Sequence, residues 1–263
     1  MPAHSHNALS VVIITLNEEK NIGRCIGSVK TVADEVIVID SFSQDRTVEI
    51  ARMMGATVKQ SSFNGYINQK NKAINEASNN YVLLLDADEF LSEELAASIL
   101  KEKENFTCKA YSMKRCNIFR GSYIRHGLWY PDRKLRLFDK RIGYCGGLNP
   151  HDRIVMKETT KVKLLAGDMF HNTFKNVEEY RRRNNEVSTV IAQSMFDAGI
   201  RRSRVKIIVS PLWSFINGYF LRLGFLEGYN GFIIAVLTAQ QSFAKYQKLR
   251  QLQRQQISEV AWE

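Results

Sequence analysis

Residues 81–90 read YVLLLDADEF, five apolar or aromatic positions followed at once by acidic ones. An uninterrupted apolar run is typical of a strand that is buried on both faces, as in a parallel sheet. Asp86 and Asp88 come where such a strand ends. Because ligands of open α/β sheets bind at the carboxyl ends of the strands, this segment predicts a buried strand with a polar site at its end.

Three similar segments precede this strand, and segments with helical spacing separate them. The predicted strands are Leu9–Leu16, Glu35–Asp40 and Ala56–Gln60. The predicted helices are residues 17–32, a segment capped by Ser43 or Asp45 that runs to Met54 and stops at Gly55, residues 67–77, and a segment opened by Ser92. Strand–helix alternation at this spacing predicts an α/β fold whose parallel sheet is covered on both faces.

The pattern changes after the first hundred residues. Residues 109–165 are rich in Gly, Arg and aromatic residues and predict short strands and turns, whereas Val177–Asp197 predicts a helix.

The distribution of charge also changes along the chain. Residues 1–100 contain 8 basic and 13 acidic side chains, residues 101–200 contain 20 and 11, and residues 201–263 contain 9 and 3. This asymmetry argues against a uniform nucleic-acid-binding face and favours a carboxylate-rich site followed by a part that meets an anionic surface or substrate.

The cysteines and the N-terminal residues both favour a cytoplasmic setting. Cys25, Cys108, Cys116 and Cys145 form no CxxC pair and have no His at zinc-ligand spacing, which predicts reduced, mostly buried thiols. The first residues, MPAHSHNALS, lack the positive and apolar regions of a signal peptide. We therefore expect a protein that works on the cytoplasmic side.

Asp86 and Asp88 are the leading candidates for metal chemistry. One carboxylate could contact a ribose hydroxyl or a metal-bound water while the other binds the metal directly. Mg²⁺ is usually held by one or two carboxylates, with substrate phosphates completing its shell. The alternative, a solvated acidic turn or a capping role for Asp88, stays open at this point.

Polar residues also follow the first two predicted strands. Asp40 ends the second strand, and Thr15, Asn17 and Glu18 lie in the loop after the first. A carboxylate at a strand end can accept a hydrogen bond from a nucleobase or a ribose hydroxyl; helix capping is the alternative for Asp40 and the favoured role for Asp45. The sequence has no GxGxxG and no GxxxxGK[ST] segment, which disfavours a dinucleotide cofactor and P-loop ATP chemistry.

Several segments stand in a characteristic order: VVIITLNEEKNIGRCIGSV (11–29), VIVIDSFSQDRTVEIA (36–51), NQKNKAI (68–74) and YVLLLDADEFL (81–91). Together they resemble the family-2 glycosyltransferases of the GT-A (Rossmann-like) fold. The similarity continues through RKLRLFDK (133–140), NPHDRIV (149–155) and GDMFHNTF (167–174) into the apolar, basic tail, and so covers most of the chain. The branch it resembles most is that of the bacterial lipopolysaccharide inner-core β-glucosyltransferases that modify heptose.

On the donor side, the resemblance implies a nucleotide-sugar site. The nucleoside would lie among Thr15, Asn17, Glu18 and Asp40, and the pyrophosphate would lie near Lys70.

The resemblance also implies a metal site and a base. Asp86 would face the ribose and the metal, Asp88 would coordinate the metal, and His171 would contact the metal or the diphosphate; a packed or surface histidine is the alternative. Many relatives have His-Glu in the acceptor region, where this chain has His151-Asp152. Asp152, one methylene shorter than Glu, is the expected general base.

The implied function is that of a metal-dependent, inverting glycosyltransferase using Mg²⁺ or Mn²⁺. The expected donor is a UDP-sugar, with UDP-glucose the first choice, and the expected acceptor is a lipopolysaccharide core or a similar glycan. Residues 1–200 would form the GT-A catalytic domain, with 1–100 binding the nucleotide sugar and 101–200 the acceptor. Residues 201–263 would form a helical extension.

The extension carries two uncharged runs, Ile207–Leu221 and Gly228–Ala244, each shorter than the roughly 20 residues that span a bilayer. Cations flank both runs, namely Arg201, Arg202, Arg204 and Lys206 before them and Lys245, Lys248, Arg250 and Arg254 after them. This pattern favours interfacial helices on an anionic leaflet. Two buried helices or a dimer interface remain the alternatives.

Two other functions stay open on the sequence alone. Transfer to a polyprenyl phosphate would need no base, because that acceptor is already an anion. A basic RNA-binding or scaffold protein would suit the clustered Lys and Arg with aromatics such as Tyr111, Tyr123 and Trp129. The acidic loops at Asp40 and Asp86 speak against nucleic acid, since they would repel phosphates unless a metal intervened.

Overall fold

The computed structural model of the protein describes residues 7–148, 151–157, 159–174, 176–200 and 205–260. Its contacts divide the chain into two compact units, Met1–Cys116 with Asp132–Asn172, and Asn117–Pro131 with Thr173–Glu263. The strands are β1 (Leu9–Thr15), β2 (Glu35–Asp40), β3 (Thr57–Gln60), β4 (Tyr81–Asp86), β5 (Glu89–Leu91), β6 (Ala110–Phe119), β7 (Ser122–Ile124), β8 (Asp132–Asp139), β9 (Gly143–Leu148), β10 (His151–Met156) and β11 (Val162–Phe174). The helices are α1 (Ile22–Val29), α2 (Thr47–Met53), α3 (Tyr66–Glu76), α4 (Glu93–Glu104), α5 (Val177–Asp197), α6 (Val205–Ile216) and α7 (Gly228–Val260).

The main sheet has the strand order β3-β2-β1-β4-β8-β6-β11-β5, with β7 paired to β6. The first four strands are parallel, and β8 continues the sheet antiparallel to β4. Strands β9 and β10 form a separate antiparallel hairpin. The predicted α/β fold with a helix-flanked sheet is confirmed, as are the predicted limits of β2, β4 and α5.

Alternate residues of β1 supply two hydrophobic cores, one on each face of the sheet. Val11 and Ile13 pack with α1 and α4, whereas Val12 and Ile14 pack with α3. All seven residues of β1 are buried. An uninterrupted apolar strand is therefore required here, because helices cover both of its sides.

The first helix begins at Ile22, five residues later than the pattern predicts. The backbone N–H groups of residues 17–19 donate to side-chain oxygens of Ser43, Thr47 and Asp45, so this segment forms a loop that is fixed to the next strand–helix connection. Short strands were also predicted for residues 109–165, and this was wrong in part: β6 has ten residues and β8 has eight.

The thiol prediction agrees with the described structure. All four cysteines are thiols; Cys25, Cys116 and Cys145 are buried, and Cys108 is partly exposed. Burial raises the pKa of the Cys25 thiol, and burial together with the nearby Asp152 carboxylate raises the pKa of Cys145 to about 11. Both thiols therefore stay protonated at neutral pH and are poor nucleophiles.

The second unit has an aromatic core of its own. Phe119, Trp129, Phe174 and Tyr180 pack together with Leu237 of α7. Asn184 donates from its side-chain amide to the carbonyl of Leu237 at 3.0 Å, which ties α5 to α7.

Three glycines permit a tight corner between α6 and α7. A Cβ on Gly224 would lie 2.4 Å from the carbonyl oxygen of Gly218, and one on Gly231 would lie 1.9 Å from that of Gly224.

In the described part of the chain no single helix is long and apolar enough to cross a membrane. Only the two segments Val205–Leu221 and Gly224–Gln255 taken together reach the length and composition of a span, and they are bent by 74° at the break between them.

Candidate active site

Three of the residues singled out from the sequence lie at the same edge of the parallel sheet. Thr15 and Asp40 are directly opposite each other at the ends of β1 and β2, and Asp86 at the end of β4 is opposite Ile14. The carboxyl ends of adjacent parallel strands meet here, as the sequence predicts. The structure therefore places the candidate donor-side residues on one rim.

The loop residues around β1 and β2 hold one another. Asp40 is fully buried and accepts hydrogen bonds from the backbone N–H of Ser43 at 3.0 Å and from Gln60 at 3.1 Å. Asn17, in the left-handed region with φ of 54°, accepts from the backbone N–H of Gln44 at 2.8 Å, and Glu18 accepts from the Asn21 side chain at 2.6 Å. These bonds preorganise the loop, and the predicted contact of these residues with a nucleoside stays a prediction.

Charged side chains of alternating sign form a series of ion pairs that begins at Asp132. Its carboxylate is 2.7 Å from Arg115, whose guanidinium is 3.5 Å from Glu89. Glu89 is completely buried and lies 2.7 Å from Arg136, which is also buried. Arg136 in turn lies 3.1 Å from Oδ2 of Asp86.

The series of ion pairs continues from Asp86 through Lys70 to Asp152. Its ammonium nitrogen is 3.1 Å from Oδ1 of Asp86 and 2.8 Å from Oδ2 of Asp152. The Lys70 side chain is only 4% exposed, so both pairs are shielded from solvent. The structure thus brings together Lys70, Asp86 and Asp152, although the sequence analysis assigned Lys70 to the pyrophosphate and Asp152 to the acceptor.

One side-chain amide explains why Asp152 lies over Lys70. Asn71, the next residue of α3, donates to the carbonyl of Cys145 at 2.7 Å and accepts from its N–H at 2.8 Å. These bonds attach β9 to α3, and β10 pairs with β9. These contacts place Asp152, on β10, next to Lys70 on α3.

The pairing keeps this cluster charged. Burial would raise the pKa of the Asp86 carboxyl, but Lys70 and Arg136 hold its pKa well below the usual range. Burial would likewise lower the pKa of Lys70, yet Asp86 and Asp152 raise it. The carboxylates Glu89 and Asp86 also raise the pKa of Arg136 against the effect of burial. Asp86, Lys70 and Arg136 are therefore ionised at neutral pH.

Asp88 and His171 form a second cluster beside the first. Nε2 of His171 lies 3.3 Å from Oδ2 of Asp88, and the backbone N–H of Asn172 donates to the Asp88 carbonyl at 3.0 Å. Strand β11 positions the histidine, because His171 pairs with Glu89 of β5. No hydrogen bond or ion pair among the described residues joins the Asp88 side chain to Asp86 or Asp152.

The Asp88–His171 pair fits two neighbouring ligands of a divalent ion in an open site. Ligands at about 2.1 Å from a metal and about 90° apart lie about 3 Å from each other, close to the observed 3.3 Å. Within the described residues, no three His, Cys, Asp or Glu side chains form a group that could hold a metal. A metal here would therefore depend on water or substrate oxygens for the rest of its shell.

Three buried polar atoms in the described chain lack a hydrogen-bond partner, and all belong to this region. They are Oγ1 of Thr15, Oδ1 of Asp86 and Nε of Arg136. Oδ1 of Asp86 still has a charged partner, because the Lys70 ammonium nitrogen lies 3.1 Å away. Leaving such atoms unpaired costs about 1–3 kcal/mol each, so they are rare in folded proteins. Their concentration here is typical of a site that a ligand completes.

A cleft of about 440 Å³ opens over the charged cluster. Asp86 and Asp152 line it together with Lys70 and Arg136. The other lining residues are Arg115, Arg133, Lys134, Leu135, Arg153 and Ile154.

Sequence analysis did not identify Arg136, Glu89 or Arg115 as site residues. Both Glu89 and Arg136 occur in segments that carry the resemblance, within YVLLLDADEFL and RKLRLFDK. A buried arginine needs carboxylate partners, but the sequence gives no sign of which ones. His151 is described only in its backbone, and residues 149–150 of the NPHDRIV segment lie outside the described chain.

Comparison with known proteins identifies the family of this chain. The sequence profile of glycosyl transferase family 2 matches residues 10–161, more than half of the chain. The chain belongs to glycosyl transferase family 2. The match includes both carboxylates of the Asp-Ala-Asp segment, Lys70, Arg136 and Asp152.

Similar proteins extend the likeness beyond the matched region. An uncharacterized glycosyltransferase of Rickettsia prowazekii is 33% identical over 254 residues, covering 93% of this chain and 87% of the relative. The lipopolysaccharide core biosynthesis glycosyltransferase LpsC of Rhizobium meliloti is 27% identical, covering 90% of this chain and 93% of its own. Among solved structures, glucosyl-3-phosphoglycerate synthase of Mycobacterium tuberculosis has a TM-score of 0.50 at 17% identity, covering 74% of this chain and 81% of that one, which supports the fold.

Proposed function

We propose that this glycosyltransferase is metal-dependent and inverting, and that it moves glucose from UDP-glucose onto a hydroxyl of a lipopolysaccharide core or a similar glycan. The observation that carries the proposal is that Asp86 and Asp152 line one cleft and share the Lys70 ammonium. A donor-side carboxylate and an acceptor-side carboxylate are thus available to the same pair of substrates. The similarity to LpsC over nearly the whole chain supports the lipopolysaccharide acceptor.

In this proposal Asp152 is the general base. Its carboxylate takes the proton of the acceptor hydroxyl as that oxygen bonds to the anomeric carbon, while the bond from the anomeric carbon to the diphosphate breaks. Asp152 is suited to this role because it lies on the cleft and Lys70 holds it in position by a hydrogen bond. One base and one departing diphosphate give a single displacement, which inverts the anomeric centre.

Asp88 and His171 are the proposed protein ligands of a divalent metal. When bound, Mg²⁺ or Mn²⁺ would stabilise the negative charge that builds on the departing diphosphate. Asp86 would face the ribose, with Thr15, Asn17, Glu18 and Asp40 around the nucleoside. The unpaired Oγ1 of Thr15 supports a polar ligand in that part of the site.

The proposal is tested with a panel of nucleotide sugars. Purified protein is incubated with UDP-, GDP- and ADP-sugars and Mg²⁺ or Mn²⁺, with core oligosaccharide as acceptor, and the released nucleoside diphosphate is measured. We expect release from UDP-glucose above all. Release from another donor would replace the donor assignment, and no release from any donor would refute the proposed reaction.

We further infer that the helical part of the second unit binds an anionic membrane surface without spanning the bilayer. None of the twelve residues of α6 is buried, and Ile208, Leu212 and Trp213 are each more than half exposed. Leu221 and Tyr229 extend the exposed apolar surface around the corner to α7. Such a surface with basic flanks is suited to the boundary between headgroups and acyl chains. The location on the cytoplasmic face stays part of this proposal.

A further inference from the structure

The cations that line the cleft differ in whether a carboxylate neutralises them. Lys70 and Arg136 are buried and paired with Asp86, with additional pairs to Asp152 and Glu89. Their charges are therefore offset within the protein. The charges of Arg115 and Lys134 are offset as well, because Asp132 lies 2.7 Å from Arg115 and 3.2 Å from Lys134.

Arg133 and Arg153 form no ion pair with any described residue, and both are exposed at the cleft. Arg133 lies on β8, and Arg153 lies on β10 directly after Asp152. Because both carboxylates that line the cleft are already paired, these two guanidinium groups leave it with uncompensated positive charge. A cleft with a net charge of one sign concentrates ligands of the other sign.

The position of these arginines points to the acceptor and not to the nucleotide. Donor-side Asp86 and Lys70 line this cleft beside the candidate base Asp152, but the candidate ligands of the donor's metal, Asp88 and His171, do not. Arg153 lies on the strand that carries Asp152, which favours the acceptor over the nucleotide. A sugar whose hydroxyl reaches Asp152 would lie in the cleft that Arg133 and Arg153 also line. A guanidinium group presents paired N–H donors that match the oxygens of a phosphate or a carboxylate.

We propose that Arg133 and Arg153 form a subsite for an anionic group, a phosphate or a carboxylate, on the sugar acceptor. The proposal rests on the proposed function in one respect, the identification of Asp152 as an acceptor-side residue. It makes the acceptor an acidic sugar, with the reacting hydroxyl at Asp152 and the anionic group at the two arginines. Neutral sugars of the same shape would be poor ligands.

The test measures binding and does not need turnover. Wild type is titrated with glucose 6-phosphate, with glucuronate and with glucose by ligand-observed NMR, and separately with UDP and Mg²⁺. The variants are Arg133→Gln and Arg153→Gln. The matched control replaces two exposed cations of the described chain that lie outside the cleft and have no ion pair, Lys30 and Arg52, by Gln.

We expect at least one acidic sugar to bind tighter than glucose, and each arginine variant to weaken that binding about 10- to 100-fold, the range for a charge-assisted hydrogen bond. The control and the affinity for UDP should be unchanged. Preference for glucose 6-phosphate would assign a phosphate-bearing acceptor, and preference for glucuronate a carboxylate-bearing one. If glucose binds as tightly as both acidic sugars, or if the variants weaken the binding of UDP and not that of the sugars, the subsite is refuted. Arginine-dependent binding without any nucleotide-sugar turnover would instead refute the proposed reaction and leave the subsite standing.

Discussion

The ammonium nitrogen of Lys70 lies 2.8 Å from Oδ2 of Asp152, although 82 positions separate the two residues in the sequence. The contact joins α3, under the parallel half of the sheet, to the β9–β10 hairpin. It also links the acceptor-side carboxylate to Asp86, because Lys70 contacts both. The donor and acceptor halves of the proposed reaction therefore share one buried cation.

Arg136 is the residue on which the stability of this cluster depends most. Replacing it by Met leaves Glu89 and Asp86 buried with a missing partner, and breaking a buried ion pair in this way costs about 3–5 kcal/mol. We expect Arg136→Met to lower the free energy of unfolding by that amount in urea denaturation. The control is Arg46→Met, which removes an exposed ion pair with Glu49 and should lower the free energy of unfolding far less. Equal losses in the two variants would contradict the cluster's role in stability.

Asp152→Asn keeps the shape of the side chain and removes its ability to accept a proton. We expect kcat to fall about 10²- to 10⁴-fold, the usual effect of losing a general base. The affinity for UDP should change little, because Asp152 is assigned to the acceptor. Steady-state kinetics and a UDP titration check both parts. Undiminished turnover would favour an acceptor that is already an anion, such as a polyprenyl phosphate, over a sugar hydroxyl.

The Asp139 carboxylate should make the stability of the folded protein sensitive to acid. Burial would raise its pKa, but Arg141 and Lys109 lower the pKa of Asp139 to about 2. A lowered folded-state pKa contributes stability that is complete above the unfolded pKa, near 4, and is lost as the pH falls from about 4 to about 2. Because both partners are half exposed, at 55% and 51%, solvent screening limits this to about 1–2 kcal/mol.

Asp139→Asn should therefore be about 1–2 kcal/mol less stable than wild type at pH 6 and equal to it near pH 2. Urea denaturation over that range measures the difference. Asp197→Asn, which removes an exposed carboxylate with no ion pair in the described chain, should show no such convergence. A stability gap for Asp139→Asn that persists at pH 2 would contradict the assignment.

The membrane proposal predicts flotation with vesicles. The protein should float with liposomes that contain anionic lipid and not with neutral ones, and salt should weaken the binding because it shortens the screening length. Leu221→Asp with Leu226→Asp should reduce flotation, whereas Met53→Asp, at a still more exposed apolar position in the first unit, should not. If the protein never floats, the apolar surface of α6 and α7 is an interface between proteins and the membrane proposal fails.

The sequence predicts the parallel half of the sheet well, because local patterns determine it. Strands β2 and β4 have the predicted limits, and Asp40 and Asp86 lie where those strands end. Both facts follow from uninterrupted apolar runs that stop at a carboxylate. The late start of α1 could not be predicted, since it depends on bonds to a loop about 26 residues away.

The charged cluster was predicted in part, including one of its cations, Lys70. Asp86 and Asp152 were expected in the site, but Glu89, Arg136 and Arg115 were not. Their pairing is set by contacts between β5, β6 and β8, which are distant in sequence and whose register includes an irregularity between Tyr111 and Ser112. A charged residue in a strand pattern is usually solvent-exposed, so nothing in the local sequence marks Arg136 as buried.

We propose that sugar transfer depends on a divalent metal whose ligands include Asp88 of the Asp-Ala-Asp segment. This proposal is tested most directly by measuring UDP release from UDP-glucose by wild type, with Mg²⁺ and after addition of EDTA, and by Asp88→Asn. The exposed Glu94→Gln serves as control, and thermal unfolding verifies that each variant is folded. We expect EDTA and Asp88→Asn each to abolish release and Glu94→Gln to retain it. A folded Asp88→Asn protein with wild-type activity, or full activity of wild type in EDTA, would rule out metal dependence through Asp88.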